Sequence, residues 1–148
     1  MIDTVDADTR SRMMSGIRSS NTKPEILIRK ALHRRGFRYR IHVRALPGHP
    51  DIVLPKFRAV VFIHGCFWHG HGCRLFKWPA TRPDFWRAKI ERNQLNDLKA
   101  VRALREHGWR VAVIWECAIR HVAAAPESLV DRLACWLNDN NTFLEISE

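Results

Sequence analysis

Hydrophobic positions in this chain change period several times, and each change marks an element. Leu27, Ile28, Ala31 and Leu32 recur at helical spacing just after Thr22-Lys23-Pro24-Glu25. There Thr22 serves as N-cap, Pro24 suits the first turn and Glu25 stands at the capping-box position. Gly36 ends that helix. Phe37, Tyr39, Ile41 and Val43 then alternate with Arg38, Arg40, His42 and Arg44, which predicts a strand with one wet, basic face. Leu46-Pro47-Gly48-His49-Pro50 reads as a turn, Asp51 to Leu54 as a short strand, and Pro55 to Arg58 as another turn. Ala59 to Ile63 is apolar on both faces, as a central strand is.

A long loop runs to Pro83, and a helix follows from about Asp84 to His107, with Phe85, Ala88, Leu95, Leu98, Val101 and Leu104 near helical spacing and Gly108 as its stop. Trp109 to Trp115 gives a fourth, buried strand. A last helix over Glu127 to Asn138 presents Leu129, Val130, Leu133, Trp136 and Leu137 to the core. The order α-β-β-β-α-β-α predicts an α/β fold with a central mixed four-stranded sheet flanked by helices, its first three strands forming a meander. If the third and fourth strands run parallel, joined by the long helix, their C-terminal ends lie side by side and Cys117 comes to Cys66. Cys135, among Leu133, Trp136 and Leu137, reads as a small buried hydrophobe. No repeat or linker interrupts the pattern, so one domain is expected over residues 1–148, preceded within it by a basic N-terminal arm at 1–21.

Composition narrows the function classes. With 148 residues, 46% hydrophobic and 27% charged, the chain matches a globular domain, and no apolar run approaches the ~20 residues of a membrane span. The formal charge of +10 points to an anionic partner. Between Thr9 and Pro50 there are eleven Lys and Arg residues against a single acid, Glu25; from His121 onward five acids face Arg132 alone. Such polarity suits a polyanion held on one face through phosphate contacts, and favours nucleic acid over a generally basic, solvated surface. A membrane surface fits less well, because the basic residues do not follow one amphipathic helix.

Phe62-Ile63-His64-Gly65-Cys66-Phe67-Trp68-His69-Gly70-His71-Gly72-Cys73 concentrates the chemistry. Cys66, Cys73, one histidine between them and Cys117 can supply the four ligands of a closed tetrahedral zinc site, with the choice between His69 and His71 left open by spacing. At least two imidazoles remain for other work, and neutral imidazole is the commonest general base near pH 7. The alternative, a Cys66–Cys73 disulfide, is disfavoured because the polar, acidic start of the chain has no charged-then-apolar signal segment, which predicts a reducing, cytoplasmic setting. Asp51, following Pro-Gly-His-Pro, is a carboxylate of the kind that holds Mg2+ on a scissile phosphate; taken alone, it reads more readily as a turn or cap aspartate.

Met14 to Ser19 and Thr22 to Glu25, then Leu46 to Asp51, His64 to His71, Pro79-Ala80-Thr81-Arg82 with Phe85-Trp86, and Gly108 to Val111 with Trp115 to Ala118 together resemble the very-short-patch-repair (Vsr) endonucleases. The resemblance covers about Thr9 to Arg120. It implies a variant of the PD-(D/E)XK nuclease fold and a Mg2+-dependent endonuclease that nicks one strand of double-stranded DNA 5′ to the thymine of a T:G mismatch, beginning repair of deaminated 5-methylcytosine. By position, Asp51 would bind Mg2+ through its side chain and residue 63 through its backbone carbonyl. The family often carries threonine at 63, where this chain has Ile63; a main-chain ligand tolerates that change. His69 would activate the attacking water, with His64, Glu25 and Asp97 in the surrounding network.

The same resemblance assigns zinc to Cys66, His71, Cys73 and Cys117, and matches Phe67, Trp68 and Trp86 to aromatics wedged into the base stack. Arg18, Lys89 and Arg120 are expected on DNA. Gly70 and Gly72 stand where some members have histidines, which implies a more mobile loop. Family members can act with the mismatch-repair protein MutL; a monomer, bacterial and nucleoid-associated during repair, is expected. The alternatives are a nickase of the same family with relaxed mismatch or sequence preference, and a zinc-stabilised DNA-binding module without catalysis.

Overall fold

A computed structural model of the chain describes residues 22–148. The predicted arm at 1–21, with Arg18 and the Met14–Ser19 motif, lies outside the described residues.

Helix α1 spans Lys23–Arg34 and begins where its sequence says it should, with the Thr22 hydroxyl accepting the Glu25 N–H at 3.4 Å. A cap of this kind contributes about 1 kcal/mol. Ile28, Ala31 and Leu32 form its buried stripe. Phe37 and Tyr39 then pack on the core, but the strand expected over 37–44 does not form; Arg40 makes a single bridge to Val53. Its partner β1, Ile52–Leu54, is only three residues long, and His42, at φ 58°, turns the chain away. The expected meander is therefore a hairpin, β1 antiparallel to β2 (Ala59–His64) through the single 3-10 turn Pro55–Phe57.

Strand β2 pairs in parallel with β3 (Arg110–Trp115), from Ala59↔Arg110 to His64↔Trp115. Parallel neighbours need a crossover. Helix α2, Pro83–Glu106, provides it. Three further elements follow: the short helix α3 (Glu116–His121), helix α4 (Glu127–Leu137) and strand β4 (Phe143–Ile146), which returns parallel to β3. The sheet is mixed and four-stranded, in the order β1-β2-β3-β4, so the fourth strand is C-terminal rather than the segment 37–44.

Alternation along the strands divides the core in two. Val61, Ala112 and Ile114 face α1, α3 and α4, while Val60, Phe62, Val111 and Val113 face α2 and the cysteine loop. The long helix turns Val101 and Leu104 to the core as expected, but its earlier turns sit in a different phase from the one their apolar residues suggest. It buries Ile90, Ala100 and Leu104, whereas Phe85, Ala88, Leu95 and Leu98 are exposed, Leu98 at 69%. Between the buried positions lie half-buried Asn93 and Asp97. The inner face of α2 is thus partly polar, because its middle looks onto a cleft. Cys135, expected to be buried, lies on the outer side of α4 and is exposed. Among the described residues no helix is long and apolar enough to cross a membrane.

Candidate active site and metal centre

The cleft, about 930 Å³, opens at the C-terminal end of β2. Asp51, just before β1, is held to β2 twice: its N–H donates to the Val61 carbonyl at 3.0 Å, and its Oδ2 accepts the Ile63 N–H at 2.6 Å. The preceding turn fits against α2 because residue 48 is glycine. A Cβ there would stand 2.6 Å from that of Ala100, and φ is +75°. Glu25 reaches the same place from α1, buried and ion-paired with Arg29 at 2.8 Å. Burial pushes the Asp51 carboxyl up to about 7; the Ile63 N–H opposes the shift and neighbouring Glu25 adds to it. Two carboxyl groups sharing a partly buried pocket form a site that a dication would relieve.

Across the cleft, His69 Nδ1 lies 2.5 Å from Asp97 Oδ2. This bond fixes which ring nitrogen carries the proton and leaves Nε2 as the acceptor. His64 stacks on His69 with ring centroids 4.0 Å apart. Burial, together with His69, holds His64 down at about 4, against the pull of Asp97, so its imidazole is neutral at pH 7. The loop carrying His69 is clamped by α2: Asn93 donates to the Trp68 carbonyl at 2.8 Å, and Gln94 to the His69 carbonyl at 3.2 Å. Gly70, at φ +63°, lets the helix approach, since a Cβ there would meet Gln94 at 2.4 Å and Ile90 at 2.6 Å. Here the glycine marks close packing against the helix.

Cys66, His71, Cys73 and Cys117 converge, with one ligand atom of each within 4.8 Å of the others. The parallel pairing of β2 with β3 brings Cys117 to Cys66, as the strand order predicts, and the Cys117 N–H donates to Cys66 Sγ at 3.3 Å. The Leu75 N–H points at Cys73 Sγ and the Glu148 N–H at Cys117 Sγ, at 3.4 and 3.5 Å. Burial pushes the Cys66 thiol up to about 12, and the thiols of Cys73 and Cys117 add to the shift. Three sulfurs receiving N–H bonds beside one imidazole fit a thiolate-bound dication; the donor set is that of structural zinc. All four cysteines are free thiols, so the disulfide alternative is not formed. Trp115 joins this centre to the cleft, stacked on His71 at 4.2 Å and edge-on to His64 at 5.2 Å.

The family profile described as DNA mismatch endonuclease Vsr matches residues 2–75. The DNA mismatch endonuclease Vsr of Escherichia coli is 43% identical over 138 residues, covering 93% of this chain and 88% of its own. The chain belongs to the Vsr family. The type II nicking enzyme V.XorIIP of Xanthomonas oryzae is 48% identical over 84% of this chain and 91% of its own, and V.NmeAIP of Neisseria meningitidis is 45% identical over 94% and 99%.

In this Vsr-family chain, Asp51, Glu25, Ile63, His64, His69 and Asp97 all line one cleft. Phe67, Trp68 and Trp86 form a mutually touching triad, with ring centroids 5.1 to 5.9 Å apart, each half-buried rather than in the core, and Trp68 also lines the cleft. Lys89 lines the same cleft, and exposed Arg120 is paired with Glu116 at 3.0 Å. Sequence reasoning missed Arg29, Asn93, Gln94 and Glu116. Asn93 was findable, because it stands one helical turn before Asp97; Arg29 stands at i+4 from Glu25 but reads as one more surface arginine. The aromatic surface also continues through Phe76 and Trp78, with the Arg87 guanidinium 5.0 Å over the Trp78 ring.

Proposed function

We propose that this protein is a Mg2+-dependent DNA endonuclease of PD-(D/E)XK type, folded as one domain, that nicks one strand 5′ to the thymine of a T:G mismatch. The observation that carries the reading is the convergence of the Asp51 carboxyl and the Asp97-oriented His69 on one cleft, which Trp68 of the half-buried aromatic triad also lines. Asp51 and the Ile63 carbonyl would hold Mg2+, which supplies positive charge at the scissile phosphate. His69 Nε2 takes the proton of the attacking water, while Asp97 stabilises the imidazolium that results. Neutral His64 packs the base in place. Lys89, Arg120 and, beyond the described residues, Arg18 contact phosphates, and MutL is an expected partner in the cell. Cleavage of an end-labelled duplex panel carrying every mismatch in varied contexts tests the reading; T:G alone should be cut efficiently. Because two similar relatives are named as type II nicking enzymes, a nickase with a different sequence context is the second reading, and the same panel separates the two.

Zinc belongs in this reading as a structural ion on Cys66, His71, Cys73 and Cys117. The purified protein should carry one tightly held zinc per chain, measured by elemental analysis. Cys117→Ala should lower thermal stability, solubility and nicking together, since a structural zinc contributes folding free energy and this one holds the histidine loop. Protein purified without chelator and free of zinc would defeat the assignment.

The aromatic triad supports mismatch selection. Inserting such groups between base steps costs a few kcal/mol of unstacking, less where the pair is already weak. Trp68→Ala and Trp86→Ala should therefore weaken binding to T:G duplex more than to paired duplex of the same sequence, at one fixed salt concentration. A drop in melting temperature with an unchanged affinity ratio would make these residues packing elements only.

A further inference from the structure

His64, His69 and Asp97 form a second convergent cluster, one ligand atom from each lying within 4.8 Å of the others. The two carboxylate oxygens address the two imidazoles separately: Oδ2 lies 2.5 Å from His69 Nδ1, and Oδ1 3.9 Å from His64 Nε2. The rings lie nearly parallel, 8° apart, so a shared ion requires one of them to turn out of the stack. His64 is 7% exposed, and its Nδ1 has no hydrogen-bond partner among the described residues. Its Nε2, at 3.9 Å from the carboxylate, is also beyond hydrogen-bond reach. A buried imidazole so poorly satisfied gains from any cation placed at Asp97.

Tetrahedral coordination, with bonds of about 2.0–2.2 Å, sets ligand atoms roughly 3.3 Å apart, within the spread of separations here. Two imidazoles and one carboxylate, with a fourth position open to the cleft, are a donor set that borderline dications accept. Mg2+, which requires mostly oxygen ligands, is refused. We propose that His64, His69 and Asp97 make a second, weaker site for a transition-metal dication such as Zn2+ or Co2+, and that filling it switches the nuclease off. Switching rests on the reading of His69 as the base, because a bound dication occupies the imidazole and breaks its bond to Asp97; ion binding itself does not. The three-thiolate centre fills first, its sulfur ligands being the better match to zinc.

The test starts from protein that carries its first zinc and uses no DNA. Zn2+ is added in a calorimeter, and Co2+ is followed by its visible absorption, which lacks thiolate charge-transfer bands when the ligands are histidine and carboxylate. Wild type should take up one further ion per chain. Asp97→Ala and His64→Ala should bind it about tenfold more weakly or worse, while elemental analysis shows the first zinc retained and the fold intact. No further ion in wild type, or equal affinity in all three proteins, overturns the site and leaves the role of His69 standing. In a Mg2+ nicking assay, the wild-type rate should fall with the same midpoint as binding. Binding without inhibition overturns the switch and, with it, His69 as the base.

Discussion

Asp51→Asn is expected to abolish nicking while leaving affinity for duplex DNA within a few-fold of wild type. Asparagine keeps the shape and can still accept the Ile63 N–H that now reaches Asp51 at 2.6 Å, so the turn should survive. What disappears is the side-chain negative charge offered to a dication, while the basic and aromatic side chains expected on DNA are untouched. Residual activity within threefold of wild type in single-turnover assays would remove Asp51 from the metal site. A pH signature accompanies it. Because the carboxyl is pushed up to about 7 by burial and then by Glu25, a dication must displace a proton below that pH. Apparent Mg2+ affinity should then fall by up to about tenfold per pH unit below 7 and level off above it. Glu25 needs a gentler probe, such as Glu25→Gln, because deleting one partner of a buried ion pair costs roughly 3–5 kcal/mol and would confuse unfolding with lost chemistry.

His69→Ala should lower the single-turnover rate by about 10²–10⁴-fold, the usual contribution of a positioned base. The Asp97 bond leaves His69 Nε2 free to accept, whereas His64 is buried and stacked beneath it, so His64→Ala should cost less. If His64→Ala proved much the worse of the two, their roles would exchange. Zinc content measured on the same preparations separates lost chemistry from a collapsed loop, because His71 stands only two residues away.

Elements with strong local signals were legible in the sequence. Thr22 and Glu25 announce α1, the apolar runs announce β2 and β3, and their parallel pairing places Cys117 at Cys66. The segment 37–44 has the right alternation but lacks an edge long enough to pair with, a fact held in the length of β1 and not in its own residues. Strand β4 is four residues, Phe143–Ile146, whose partner β3 lies far away in the chain, so no local pattern distinguishes it from a tail. The phase of α2 is legible at its C-terminal end, where Val101 and Leu104 pack on the core, and not along its middle, where Leu95 and Leu98 look like core while the residues that turn inward beside the cleft are Asn93 and Asp97. Apolar periodicity finds the face that meets a core; it misplaces a face that meets chemistry. Family resemblance supplied what spacing left open, above all the choice of His71 among the loop histidines; a ring nitrogen of His71 lies within 4.8 Å of the three sulfurs.

Helix α2 touches both halves of the cleft. Ala100 abuts the turn before Asp51, and Asn93, Gln94 and Asp97 grip the loop around His69. Its register therefore sets the spacing between the carboxylate and the histidine. Adding or deleting one residue between Asn93 and Ala100 would rotate one end against the other by about 100° and release one grip or the other. Over this stretch the chain can accept substitutions on the outer side, at Leu95 or Leu98, but not a change in length, so the surface can diversify while the interval between the two halves of the site stays fixed.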